Sequence, residues 1–409
     1  MSKGKRVVVV GAGPAGLFTA FGLARLGAHV TVIDAAVGIN DSPRANVYLH
    51  STIKALDNVG LLDDAKEIAA LGHAFQMHFP LSGNVGTMDF RLLEGLTYPF
   101  TLHFGQNRLA ELILRHFLAF DGTAMRWNTR FIGAEQSADA VQLSVEVDGV
   151  GATMDADWVI GADGARSSVR KALGIEFEGF TWPDTFMATN LYFDFEKYGY
   201  AASNMVAAGE DWHVIAKIDD QHLWRIAYGE DSDLSEEQRL ARIRERYRNF
   251  LPRNASFELE RANSYRVHQR SANTYRKGRV LLAGDAAHAT NPIGGMGFTS
   301  GVQDAQALVR ALGQLWNNEA GDDVLDFYAE ERRRVFLEVA NPTAIDHKRR
   351  TQRTDPAARV ADEQGFIGMT RDPDAVRHAV MSVFKLEGVP YTPDWRAGFQ
   401  RPVAPLAAG

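Results

Sequence analysis

The sequence predicts an α/β protein: a parallel sheet flanked by helices, a second sheet of antiparallel strands, and further helices towards the C-terminus. Three observations predict it. Apolar runs at 7–10, 158–160 (after Asp157) and 280–283 (after Arg279) each lead into a glycine-bearing turn, and their lack of polar alternation suits strands buried on both faces. Residues 187–195, 212–218 and 223–228 instead alternate apolar and polar side chains, the period of a sheet with one face open to solvent or to a cavity. The stretches 299–315, 326–339 and 340–390 read as helices.

The first run is Val7-Val-Val-Val-Gly-Ala-Gly-Pro-Ala-Gly16, followed by the alanine- and leucine-rich stretch 17–26. It reads as strand, phosphate loop and helix. Gly11 supplies the sharp turn, and Gly13, with Pro14 and Ala15 beside it, lets the backbone approach a pyrophosphate on the helix N-terminus. Gly16 lets that helix pack close to the strand. A second strand at 28–33 ends in Asp34 and Ala35. The acid lies about 20 residues beyond the glycines, where Rossmann-like folds hydrogen-bond a ribose hydroxyl. The combination predicts an adenine dinucleotide site.

Composition narrows the class. A length of 409 residues allows two or three domains. The absence of cysteine excludes disulfides, cysteine nucleophiles and thiolate metal sites, and is compatible with a reducing compartment. A net charge of −7 argues against a nucleic-acid partner, which calls for a basic face. The valines after Met1–Arg6 imitate a signal peptide, but the run breaks at 11–14. No stretch reaches the roughly 18 apolar residues of a membrane helix, so the expectation is a soluble, cytoplasmic protein with no metal site.

Further along, Ser42-Pro43-Arg44-Ala45 lies in a turn-rich segment and 51–59 reads as an amphipathic helix closed by Gly60. Residues 75–90 suggest a hairpin turning at 82–84, and Gln106 opens a helix. Strands are expected at 131–135 and 141–147, followed by Gly161-Ala-Asp-Gly-Ala-Arg166, in which Asp163 and Arg166 look paired. Ser235 starts a helix. The third turn runs from Gly284-Asp285 to Gly297, the charged run 330–334 suggests a solvated helix face, and 402–409 a frayed tail.

Three glycine turns after buried strands are more specific together than any one alone. With Asp34, the Arg44 loop, Gln106, the 161–166 turn and Gly284-Asp-Ala-Ala-His with Pro292 and Gly294-Gly-Met-Gly297, the chain resembles the single-component flavoprotein aromatic hydroxylases, the p-hydroxybenzoate hydroxylase group, over about residues 5–385. The resemblance implies a Rossmann-like FAD-binding domain of the glutathione-reductase type, an antiparallel-sheet substrate domain and C-terminal helices. The corresponding division is 1–74, 101–180 and 270–340 for FAD, 75–100 and 181–269 for substrate, and 341–409 for the C-terminal segment. It further implies that NADH or NADPH acts as a transient co-substrate, that the middle turn serves both FAD and this donor, and that oxygen adds at flavin C4a before attacking an aromatic ring. By the same resemblance, Asp285 would bond the ribityl chain, Gln106 would touch it, and Arg44 would neutralise phosphate or shield the flavin. Gly295 and Met296 to Thr299, with Gly297 and Phe298 among them, would present helix N-terminal amides to the flavin. Thr299 stands where the family often has Asn.

Phenol hydroxylation gains from deprotonating the substrate, so a base should face the pocket. The period-two strands offer His213, Tyr192, Arg225 and Tyr228, with His213 suited to a base near neutral pH and Arg225 to binding a carboxylate. The Pro292 carbonyl is a further candidate, His288 reads as a packed histidine, and Phe79, Phe100, Tyr192, Trp212 and Trp224 suggest an aromatic lining. The expected partners are an aromatic small molecule and oxygen, with a homodimer through the C-terminal helices. Alternatives are a flavin oxygenase of a quinone precursor or polyketide and a non-catalytic FAD-binding protein. A halogenase is disfavoured by the missing W-x-W-x-I-P motif.

Overall fold

The computed structural model describes residues 4–42, 44–252 and 255–397. Pro43 and the tail expected at 402–409 lie outside them. A six-stranded sheet carries the first part of the fold, with strands in the order Arg276–Lys277, Val280–Leu282, Trp158–Gly161, Arg6–Val10, His29–Ile33 and Thr123–Arg126. All pairs are parallel except the hairpin formed by the first two. Val7 to Val10 are buried at its centre, flanked by a strand on each side, which explains the unbroken apolar run. Helix Pro14–Arg25 packs against helices Met296–Trp316 and Gln106–Phe117. The first crossing is close because position 22 is glycine: a Cβ there would come within 2.7 Å of Val309 Cγ2. A three-stranded antiparallel sheet, Thr129–Gln136, Val141–Val147 and Val150–Ala156, lies beside it. Sequence patterning found only its first two strands.

The second large sheet has eight strands, in the order His288–Ala289, Glu258–Ala272, Phe177–Tyr192, Leu223–Glu230, His213–Lys217, Ser203–Val206, Ala74–Phe79 and Asn84–Asp89. It is antiparallel apart from the pairing of Ser203–Val206 with Ala74–Phe79. One face is covered by helix Glu236–Phe250, which starts with a reciprocal capping box between Ser235 and Gln238 and buries Ile243, Tyr247 and Phe250 against Met187, Ile215 and Tyr228. The other face turns towards the first sheet. C-terminal helices Asp323–Val335, Asn341–Thr351, Pro356–Thr370 and Pro373–Met381 close the remaining side, the first two joined by a single π turn, Phe336–Ala340.

The run 330–334 departs from its expected solvated face. Glu331 and Arg332 are buried, and the Arg332 guanidinium donates to Asp304 and to the Leu386 carbonyl. Charge density alone does not distinguish a wet helix face from one that packs through ion pairs.

Candidate functional site

The three glycine turns meet. A Cβ on Gly11 (φ +110°) would collide with the Ala162 carbonyl, one on Gly16 with the Gly11 carbonyl, and one on Gly284 (φ +59°) would come within 2.8 Å of the Ala15 Cβ. The first turn therefore abuts both the second and the third. Beside the junction opens a cavity of about 1920 Å³, larger than the roughly 300–1,000 Å³ typical of one small ligand. Gly13 lines it with nothing within 4 Å of its missing side chain, which leaves the backbone the free approach that a diphosphate requires.

Asp34 sits beside this loop, accepting from the amides of Ala12 and Ala36 at 2.8 Å each; Ala35 is exposed next to it. Gln106 begins its helix and lines the cavity. Arg44 also lines it, 3.4 Å from Ser42 Oγ. Asp163 differs from its expected pairing with Arg166. Its carboxylate accepts from Ser167 Oγ, Ser168 N and Oγ, and Val169 N, so it caps helix Ser168–Ala172, and Arg166 stays exposed on the cavity wall. Four donors supplied by Ser167, Ser168 and Val169 outcompete one exposed guanidinium.

Asp285 is the most exposed acceptor at this end. Its carboxylate opens into the cavity and, among the described residues, has no hydrogen-bond partner. Burial pushes its pKa up, opposed by the charges of His288 and Arg44. Behind it, Asp304 binds Gly284 N (2.9 Å), His288 Nε2 (2.7 Å) and Arg332 Nε (2.8 Å). His288 is fully buried and stacked on Phe336, the packed histidine that the sequence suggested. Gly294 and Gly295, both at positive φ, turn the chain into helix Met296–Trp316, whose N-terminal residues through Phe298 line the cavity. Gly297, in its first turn, faces Thr290 at 3.1 Å from a would-be Cβ. The Thr299 hydroxyl donates back to the Gly295 carbonyl at 2.8 Å, so the first-turn amides, not this side chain, face the space.

The eight-stranded sheet supplies the other wall through Phe75, Met77, Phe186, Met205, Trp212 and Val214. The sheet removes two of the proposed catalytic residues, one by its face and one by its position along the strand. His213 lies opposite Tyr228 on the helix-covered face, its ring 4.1 Å from that of Phe250 and Nδ1 2.8 Å from the Asp211 carbonyl. Burial pushes its pKa down to about 4. Tyr192 is at the strand's far end, 39% exposed and outside the cavity. Of the five suggested aromatics only Trp212 lines the space, because Trp224 packs on Phe195 beneath the sheet. Period two fixes which residues share a face, but the sequence does not say which face is inside.

Arg225 does face the cavity. It is buried, donates from Nε to Asn190 Oδ1 (3.0 Å) and from Nη1 to Asn46 Oδ1 (3.4 Å), and has no carboxylate in contact. Burial lowers its pKa to about 10, against the pull of Tyr265, Tyr48 and Glu260. Pro292 lines the cavity too, its carbonyl accepting from Gly295 N at 3.1 Å with a lone pair to spare. Three histidines in the lining, His50, His268 and His347, were missed from the sequence. His50 follows the Arg44 loop, and His347 comes from a helix with no glycine turn or strand alternation to mark it. A basic rim of Arg166, Arg170, Lys171, Arg266, His268 and Arg270 runs along the cavity.

A family model described as FAD binding domain matches residues 5–343. The chain is 39% identical over 386 residues to the para-nitrophenol 4-monooxygenase of Pseudomonas sp. (strain WBC-3), covering 93% of this chain and 96% of that protein. It is 36% identical over 383 residues to a 6-hydroxy-3-succinoylpyridine 3-monooxygenase from Pseudomonas putida, at 93% and 98% coverage. The crystal structure of a p-nitrophenol 4-monooxygenase from Pseudomonas putida superposes with a TM-score of 0.91 at 39% identity, over 96% of this chain and all of that one.

Proposed function

The chain belongs to the FAD-binding-domain family of flavoprotein aromatic hydroxylases, and on that premise we propose how its own residues carry out an FAD-dependent monooxygenation of a phenolic compound. The named curated relatives act on single-ring substrates, which favours a single-ring phenol over a polyketide. Bound FAD supplies acceptance of hydride from a nicotinamide and activation of oxygen.

The observation that carries the reading is one continuous cavity onto which Gly13, Asp285, the helix N-terminus at Met296 and the apolar sheet face all open. The amides of residues 12–16 cradle the pyrophosphate, with Asp34 at the adenosine ribose and Gln106 and Arg44 along its path. Asp285, an acceptor with no protein partner, takes hydroxyls of the ribityl chain. The amides at Met296 to Phe298 stabilise negative charge on the adjoining ring edge. Asp163 and Gly284 hold the second and third turns against the first.

Phe186, Met205, Trp212 and Val214 exclude water from the reacting ring and suit a flat apolar substrate. Arg225 supplies the positive charge for an anionic oxygen there, and Pro292 separates the two halves of the cavity. A reduced pyridine dinucleotide, NADH or NADPH, fits the basic rim, where arginine side chains match phosphates. A cytoplasmic setting, in which such a donor is available, agrees with this reading.

The test is a screen of simple phenols for stimulation of NAD(P)H oxidation by the holoenzyme, with product identification to separate hydroxylation from uncoupled peroxide formation. We expect at least one phenol to be consumed with one oxygen atom incorporated. Flavin that stays oxidised with every donor and phenol would refute the reading.

A further inference from the structure

His213 cannot serve as the base, and the cavity contains no other residue from the proposed catalytic set that accepts a proton near neutral pH. We propose that His347 is the group that takes the phenolic proton of the substrate, a deepening that rests on the monooxygenase reading above. It projects from helix Asn341–Thr351 into the cavity lining. Ile293, Phe366, Met369 and Val383 belong to the same lining, as does the buried cation of Arg225.

The geometry is specific. The His347 ring packs directly on Gly294, where any Cβ would collide with Nδ1. Gly294 belongs to the Pro292–Gly295 turn, which lines the cavity and feeds the N-terminus of helix Met296–Trp316. Nδ1 is sealed in this contact and lacks a hydrogen-bond partner, which leaves Nε2 for a ligand. His347 thus touches the turn that, on the monooxygenase reading, lies between cofactor and substrate.

The charged surroundings leave the imidazole available as a base. On its own helix Asp346 favours protonation and Arg350 opposes it, and these two are paired to each other at 2.9 Å. Lys348 on the same helix is held by Asp184 of the neighbouring strand. The 289–298 segment brings no titratable side chain. From strand Glu258–Ala272, Tyr265, Arg266 and His268 face the common space, and His50 does so from its own helix. Burial is the leading influence and moves the His347 pKa down, so the neutral form is present at pH 7. In the step, the substrate O–H bond breaks, an N–H bond forms at Nε2, and the phenolate and imidazolium that result carry opposite charges.

His50 is the rival, since it too lines the cavity and is pushed down to about 4 by burial. Its ring lies edge-on to Phe90 at 5.0 Å, and the side chain its segment lays against Gly295 is that of Leu49, whereas the His347 ring itself packs on Gly294, so the assignment falls to His347.

4-Nitrophenol reports its own ionisation state by colour, so the wild-type holoenzyme and its His347→Asn and His347→Gln variants can be titrated with it below the solution pKa of the phenol. We expect the wild type to bind the yellow phenolate. Both variants should bind the colourless phenol with unchanged flavin content, and their kcat should rise in proportion to hydroxide where the wild type is flat. Wild-type enzyme that binds the neutral phenol, or a flavin-replete variant that still binds phenolate, overturns the assignment. The wild-type arm holds even if both variants misfold. A holoenzyme that binds no phenol at all removes the monooxygenase reading, and this one with it.

Discussion

Arg332 and Asp304, 28 residues apart and both fully buried, are joined by an Nε to Oδ1 hydrogen bond of 2.8 Å. The other Asp304 oxygen holds the Gly284 amide and His288, so the ion pair fixes the third glycine turn from behind. Removing one member of a buried pair leaves the other uncompensated, at a cost of about 3–5 kcal/mol. Arg332→Met should therefore lower the denaturation midpoint by that equivalent and loosen FAD. Unchanged stability by urea denaturation would show that Asp304 does not depend on Arg332.

Asp285 opens into the cavity without a protein partner, so its loss should cost little stability and much flavin. Asp285→Ala should purify colourless or with weakly held FAD, at a melting temperature near that of apo wild type. Full flavin occupancy by absorbance would remove Asp285 from the site.

Arg225 and His213 lie on adjacent strands but on opposite faces, and their variants should differ in kind. Arg225→Met is expected to raise the KM for a phenol with flavin retained. His213→Ala should keep the wild-type pH profile and lose about 2 kcal/mol of stability through its contact with Phe250. A changed pH–rate profile in His213→Ala would contradict the placement.

At the helix crossing, Gly22→Ala places a methyl group within 2.7 Å of Val309. Because the obstacle is a side chain, Val309→Ala should restore most of the lost stability. A double variant no more stable than Gly22→Ala alone would point to a backbone cause instead.

Burial pushes His50, His103 and His213 from 6.5 down to about 4. The unfolded chain therefore takes up these protons first, and stability falls as pH drops from about 6.5 towards about 4, by roughly 1.4 kcal/mol per pH unit for each group. Denaturant midpoints measured across this window should decline steadily. A flat response would mean that the three rings are hydrated in the folded state.

Much of the nucleotide half was legible because its signals are local. Val7 to Val10 state their double burial in four letters, Gly11 and Gly16 mark contacts that allow no side chain, and Gly13 leaves open space at the cavity. The substrate half was less legible because its signals are relative. The alternation of Trp212, His213 and Val214 separates two faces correctly, but only the packing of helix Glu236–Phe250 decides which is covered. Asp163 was placed in the right turn with the wrong partner, since a capping pattern and an ion pair look alike at that spacing. His347 had no local mark, because its meaning comes from Gly294, 53 residues earlier in the chain.

The neighbours of the central strand set a constraint on how the chain comes into being. Arg6–Val10 pairs on one side with a strand that follows closely, but on the other with Trp158–Gly161, which in turn waits for Val280–Leu282. Such distant pairings make folding slow and late. On the ribosome the first 280 residues can form the peripheral hairpins and helices but not the complete sheet, so the flavin-binding junction can assemble only after most of the protein has been synthesised. Nascent chains released before that point should expose Trp158–Gly161 as an unpaired, aggregation-prone edge.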